Sequence, residues 1–363
     1  MRAVARTIAL GALAGAIWTS TVSDSTGTPP PSPRKTLGSI ERLDPRLDSI
    51  VAPGAAMEVV AEGYDWLEGP LWVPEEGGYL LFSDIPPNKV MWWTAGEGVR
   101  PYLGKSGYPG PIPRPGHIPP DEPGSNGLVL DPQGRLVLCQ HGNRQVARMD
   151  APLAKPEPRY VTIASHYQGK RLNSPNDAAY HRDGSLYFTD PPYGLPRKME
   201  DPDKQLDFQG VYRVGGDGKV RLLTKELSRP NGIAFSPDFQ TLYVANSDPQ
   251  RAIWMAYDVA ADGSIANGRV FFDATKWVGP GRKGLPDGLK VDTHGHLFAT
   301  GPGGVLVFDK DARHLGTLAT GEATSNCAFG EDGSTLFITA DSYVLRLPLR
   351  VKGAAVATAP SGR

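Results

Sequence analysis

A unit of one polar residue, a short apolar run, a turn and a β-rich run recurs six times in this chain, and no other feature narrows its fold as much. The six copies read EGPLWVPEEGGYLLFSD, NGLVLDPQGRLVLCQH, NDAAYHRDGSLYFTD, NGIAFSPDFQTLYVAN, DGLKVDTHGHLFATG and NCAFGEDGSTLFITA. They begin at Glu68, Asn126, Asn176, Asn231, Asp287 and Asn326, at spacings of 58, 50, 55, 56 and 39 residues. Loose repetition at such periods means stacked supersecondary units.

The turn inside each unit falls at a nearly constant offset. Gly134, Gly184 and Gly295 lie eight residues after the leading polar residue, Gly77 nine and Gly333 seven. Glycine supplies the positive φ that a tight hairpin needs. The runs after the turn (136–141, 186–190, 242–246 and 297–300) are β-rich, and further runs such as 211–214, 220–223, 253–257 and 270–272 follow them. Each unit is therefore an antiparallel sheet of about four strands. The expected fold is all-β, a six-bladed β-propeller, with residues 57–60 closing the last blade. A β-sandwich does not repeat a whole motif six times.

The flanks read differently. Residues 1–27 hold two arginines and then the apolar run TIALGALAGAIW, which has the length of a signal-peptide core and is too short to span a bilayer. Export to the periplasm or the medium is expected, with no stable membrane insertion after cleavage. Residues 28–50 begin with TPPPSPRK and read as a Pro-rich tether, 51–350 as a single propeller domain and 351–363 as a tail. Within the propeller, residues 101–125 (PYLGKSGYPGPIPRPGHIPPDEPGS) are too rich in proline and glycine for a regular strand. Both ends are pinned by blades and the segment precedes Asn126, so it is expected to arch over the ligand entrance as a lid.

Several function classes drop out. Lys plus Arg (38) balances Asp plus Glu (39), leaving a net charge of −1 and no electrostatic case for nucleic acid or an anionic membrane. Two cysteines make no disulfide scaffold, and Cys139 and Cys327 read as buried small hydrophobes. No GxSxG, HExxH, P-loop or dinucleotide fingerprint occurs.

What remains is the ring. In a propeller the innermost strands start at one end of the central channel, so the leading residues of the six repeats meet around the axis. Singly, an Asn or Asp before Gly is a turn former. Six oxygen-bearing side chains on one axis, two of them carboxylates, either line a water-filled channel or share a cation. Oxygen-only ligation suits a hard divalent ion, calcium first, then magnesium, manganese or zinc.

The motifs LEGPLW (67–72), RLNSPNDAAY (171–180), FTDPPYG (188–194), RPNGIAFSPD (229–238) and PDGLKVD (286–292) resemble those of the senescence marker protein/gluconolactonase family, which includes regucalcin-like lactonases. The likeness covers roughly residues 57–348. It implies a divalent cation held by Glu68, Asn176, Asn231 and Asp287, with Asp287 also acting as general base. It further implies hydrolysis of a sugar-derived lactone such as gluconolactone, the small-molecule partner. Some relatives carry an Arg two residues before the first ligand Asn; here that position is Ser174, and Arg171 is the candidate substitute for holding substrate hydroxyls. Asn126, His141 and Tyr193 are further candidates for substrate contact, and Asn326 completes the ring without an assigned role. His294 and His296 sit at a hairpin-tip position remote from the ring, and Asp190 reads as part of a structural turn. Phosphoester hydrolysis on the same scaffold, as in diisopropylfluorophosphatase-like relatives, and a non-enzymatic calcium-binding propeller are the competing readings.

Overall fold

A computed structural model of the chain describes residues 34–354. Residues 1–27, where a signal segment is expected, the first part of the tether and the end of the tail lie outside the described residues. Among the described residues the chain forms six antiparallel sheets of four or five strands, the blades of a propeller, and a small two-stranded hairpin at residues 166–171. The blades start at Leu67, Ser125, Ala178, Pro230, Leu289 and Thr324. No helix among these residues is long and apolar enough to cross a membrane.

The strands alternate large apolar residues on both faces because each blade is sandwiched between two others. The result is one apolar cluster at each blade interface. Tyr187 and Val211 of the third blade meet Phe235, Val244 and Met255 of the fourth. Trp254 of the fourth meets Leu289, Leu306 and Phe308 of the fifth. Leu67, Leu80 and Phe82 of the first meet Phe337 and Val344 of the sixth, so the ring closes on itself without an open apolar face.

Closure is also made by the backbone. Glu58–Glu62 pairs antiparallel with Tyr343–Pro348 and becomes the outer strand of the sixth blade, one or two residues beyond the expected span. The hairpin glycines behave as read: Gly77, Gly134, Gly184, Gly295 and Gly333 all have φ between 76° and 91°. The fourth repeat lacks a glycine at that offset and places Phe239 there with φ 62°. Its ring packs edge-on to His181 and tilted against Phe235, contacts that offset the strain.

Three expectations need correction. The second half of the tether is part of the body: Ser39–Arg42 adds a fifth strand to the fifth blade, Ile40 opposite Leu318 and Arg42 opposite Gly316. A short 3-10 helix, Pro45–Ser49, follows, capped by Asp44, and delivers Leu47, Ile50 and Val51 to the core between the fifth and sixth blades. Burial of these three apolar residues outweighs the extended preference of a Pro-containing segment. At the other end Val351 is buried and Gly353 bridges to Asp292, so the tail begins packed. The lid is also shorter than expected. Pro101 lies in the outer strand Gly98–Gly104, opposite Met91 beside a bulge, an edge position where a missing N–H is tolerated.

Candidate active site

Four of the six inner strands enter the channel through an irregularity. The register shifts between Glu68 and Leu71, Ser125 and Leu128, Pro230 and Ile233, and Thr324 and Asn326. These bulges turn the ring residue out of the sheet and aim it at the axis. The residue that follows is glycine in four repeats, and the reason is contact rather than turn formation. A Cβ on Gly232 would stand 2.2 Å from the Asp287 carbonyl oxygen, and one on Gly288 would stand 2.0 Å from the Asn326 amide. At these four positions neighbouring blades approach so closely that only glycine fits, whereas the third and sixth repeats carry Asp177 and Cys327 there.

The ring opens into a cavity of about 1460 Å³ whose wall includes Glu68, Asn126, Asn176, Asn231 and Asp287. Asn326 is buried beside them and donates its amide to Glu68 Oε2 at 3.2 Å. The six repeat-leading residues therefore do meet. The Oδ1 atoms of Asn126, Asn176 and Asp287 are buried with no hydrogen-bond partner. Asn231 donates through Nδ2 to Ser247 Oγ at 2.9 Å, which leaves its carbonyl oxygen as the atom available to the cavity. Burial, together with the neighbouring carboxylates, pushes Glu68 up to about 8 and Asp287 well above the usual range. Unpartnered buried oxygens around two carboxylates held high by burial and by nearby acids match a hard divalent cation in donor type and charge.

The other candidates separate. Tyr193 lines the cavity, and its phenol is raised by burial and by Asp287. Arg171 does not reach it. It lies in the 166–171 hairpin, and its guanidinium donates to the Asn143 carbonyl at 3.0 Å. Ser174, in the place of the relatives' Arg, is fully engaged, donating to the Pro191 carbonyl and accepting from Gly194 N–H. His141 is completely buried behind Asn176, with Nε2 3.5 Å from Asn176 Nδ2, and is not among the cavity-lining residues. Asp190 accepts the N–H groups of Asn173 and Ser174 and holds the segment that precedes Asn176. Cys139 and Cys327 are free and buried, in separate clusters.

His294 and His296 lie at the tip of the hairpin between Leu289–Val291 and Leu297–Gly301, away from the cavity wall. Their ligand atoms and those of Asp292 lie within 4.8 Å of one another. Asp292 is already used there: it accepts the N–H groups of His294 and His296 and a 2.7 Å contact from His296 Nδ1. Asp131 ties the second blade's hairpin to Gln133 and Arg135 in the same way, so the cluster is a turn lock.

Three groups at the site were not singled out from the sequence. Glu122 of the lid lines the cavity, paired with Lys198 at 2.7 Å. Asp177, next to Asn176, is buried with Oδ2 unpartnered. Tyr64 and Trp66 form an aromatic part of the cavity wall. Only Asp177 carried a signal: it stands where four other repeats have glycine. The lid itself is locked down by Arg114, which pairs with Asp121 at 2.5 Å and donates to the Gly194 carbonyl at 2.6 Å.

Comparison with known proteins places this geometry in context. A family model described as SMP-30/Gluconolactonase/LRE-like region matches residues 66–342. A gluconolactonase of Zymomonas mobilis subsp. mobilis is 40% identical over 321 residues, 88% of each chain. Among solved structures, a gluconolactonase from Xanthomonas campestris superposes with a TM-score of 0.71 at 32% identity, over 87% of this chain and 97% of that one. A calcium-binding protein, regucalcin from Agrobacterium tumefaciens, shares the fold with a TM-score of 0.62 at 22% identity, over 83% of this chain and 96% of that one.

Proposed function

The chain belongs to the SMP-30/gluconolactonase/LRE-like family, and from that premise and the ring of oxygen donors we propose that it is an exported, divalent-cation-dependent lactonase acting on a sugar-derived lactone. Relatives named gluconolactonase, lactonohydrolase and pentonolactonase support lactone hydrolysis over a non-enzymatic propeller. The observation that carries the cation is the set of buried, unpartnered Oδ1 atoms of Asn126, Asn176 and Asp287 beside Glu68. Glu68, Asn176, Asn231 and Asp287 would hold the ion, with calcium favoured by the all-oxygen donor set.

When bound, such an ion polarises the lactone carbonyl and acidifies adjacent water. Asp287 takes the proton of the attacking water. It returns that proton to the ring oxygen as the C–O bond breaks, which releases the open hydroxy acid. Ser247 fixes the Asn231 amide, so its oxygen keeps one direction through the cycle. Asn126 Oδ1 and the Tyr193 hydroxyl face the same cavity and serve the substrate hydroxyls, while Tyr64 and Trp66 offer apolar faces to a sugar ring. The segment 1–27 supplies export, by its arginines followed by an apolar run.

Hydrolysis of five- and six-carbon aldonolactones, and of a phosphotriester as the competing substrate, is to be measured with added calcium, magnesium, manganese or zinc and with chelator. The expected result is lactone turnover that chelator abolishes and that Asp287→Asn lowers by about 10²–10⁴. Turnover that survives both treatments overturns the mechanism; turnover of the phosphotriester alone overturns the substrate. Cell fractionation with and without residues 1–27 tests export, and retention of the full chain in the cytoplasm overturns it.

A further inference from the structure

The lid reaches the proposed cation site through one buried imidazole. Glu122 Oε2 lies 3.5 Å from His141 Nδ1, and the other ring nitrogen, Nε2, lies 3.5 Å from Asn176 Nδ2. Nδ1 has no hydrogen-bond partner among the described residues, so its contact with Glu122 is an ionic one at that distance. A carboxylate can only accept at one nitrogen and a side-chain NH₂ can only donate at the other. A single tautomer therefore serves both: Nδ1–H toward Glu122 and a lone pair on Nε2 toward Asn176. With its NH₂ taken by the ring, the Asn176 amide has one orientation left, and that orientation presents Oδ1, unpartnered and buried, to the axis.

The packing around His141 is built to hold it there. A Cβ on Gly194 would stand 2.4 Å from the His141 Cβ, so the FTDPPYG loop lies flat against the imidazole's own backbone. The His141 N–H donates to the Gly124 carbonyl at the end of the lid, at 3.2 Å. Lys198 fixes the Glu122 carboxylate from the far side at 2.7 Å and also donates to the Tyr193 carbonyl at 2.7 Å. Lid, His141 and the first ligand Asn are thus one connected unit.

We propose that Glu122 and His141 are positioning residues for the cation, a lid carboxylate and a relay imidazole that select the ligating face of the Asn176 amide. The proposal rests on the reading that Asn176 is a cation ligand. It makes cation affinity depend on a lid residue outside the proposed ligand set, because a lid that carries Glu122 away releases the tautomer and with it the amide.

The test is calcium titration by calorimetry on the intact protein, with the melting temperature of each cation-free variant as the control for folding. His141→Ala and Glu122→Ala are expected to weaken calcium binding by about 10–100-fold. His141→Gln keeps an acceptor for the Asn176 NH₂ and is expected to stay within about threefold of the parent protein; Glu122→Gln keeps an acceptor for Nδ1–H but removes a charge felt by Glu68 and Asp287, and is expected to lose clearly less affinity than Glu122→Ala. Equal loss in Glu122→Ala and Glu122→Gln overturns the orientational role, and unchanged affinity in both alanine variants overturns the connection altogether. A parent protein that binds no divalent cation removes the proposed metal centre and this inference together, whereas a parent that binds with unaffected variants removes this inference alone. Kinetics give a second readout: with calcium saturating, kcat of Glu122→Ala is expected to recover toward the parent value, which a direct catalytic role would not allow.

Discussion

The side-chain amide of Asn326 donates to Glu68 Oε2 at 3.2 Å, so the first ring residue is held by the last, across the point where the propeller closes. The other donor to that oxygen is the Gly69 N–H at 3.1 Å. Burial raises the nearby Asp177 carboxyl, and the Asn326 amide offsets a small part of that rise. Asn326→Ala should weaken calcium binding by about 10–100-fold and lower unfolding free energy by about 1–3 kcal/mol, the cost of a buried acceptor left short of a donor. Calorimetry and urea unfolding read the two effects separately. No change in either would show that Glu68 is positioned by its own backbone.

Proton binding should oppose cation binding at this ring. Burial and neighbouring carboxylates raise Glu68 from an ordinary 4.5 to about 8 and raise Asp287 strongly in the same direction. A carboxyl with a raised folded pKa contributes stability that is fully present at low pH, where both states are protonated, and is lost as pH rises through the folded value. Chelator-treated protein should therefore lose stability between about pH 4.5 and 8, a loss that calcium reverses. Calcium affinity should rise across that window, with release of protons measurable in weakly buffered solution. Calcium binding that releases none at pH 6 would contradict the raised values.

The lid should fail at its buried ion pair. Arg114 and Asp121 have side chains only 5% and 9% exposed, so removing one partner strands a buried charge. Arg114→Met and Asp121→Leu should each raise KM for the lactone and expose residues 105–124 to limited proteolysis. The double variant should be milder than either single one, because two apolar side chains leave no charge behind. A double variant as damaging as the sum of the singles would mean that Arg114 acts mainly through the Gly194 carbonyl.

The segment 39–51 should be worth as much as a core strand. Leu47 is fully buried, and a Cβ on Gly316 would stand 2.6 Å from its Cδ2, so the side chain fills a gap that glycine leaves in the fifth blade. Leu47→Ala should cost about 2–5 kcal/mol of stability while leaving kcat unchanged, since the site is at the ring. Thermal unfolding and steady-state kinetics check the two halves of this expectation.

Legibility in the sequence followed repetition. The blades and ring positions were readable because each was stated six times over, and the hairpin glycine because five of six copies carry it, so the exception was outvoted by the others. Features that occur once were not. SIER at 39–42 is a short, charged edge strand whose partner lies more than 270 residues away, so no local pattern marks it. Arg171 looked available because the sequence gives its distance from Asn176 but not the hairpin that turns it toward Asn143. Glu122 was one acid within a lid recognised only by composition, and nothing in PPDEPGS says which carboxylate faces inward. Asp177 could have been found, by asking why one repeat replaces the glycine after its ring residue with an acid.

That glycine position supplies a test of the whole ring. A Cβ on Gly288 would stand 2.0 Å from Asn326 Cγ and Oδ1, so Gly288→Ala should push the Asn326 amide off Glu68. The variant should then lose calcium affinity about as much as Asn326→Ala does, with no contact of its own to the ion. With Asn326 already shortened to alanine, the atoms that clash are gone, and adding Gly288→Ala should cost little more. The double-variant cycle should therefore show strong coupling, with the pair no worse than either single substitution. Additive losses would mean that glycine is needed at 288 for the backbone path itself, and that the Asn326–Glu68 contact is a passenger of the ring rather than one of its supports.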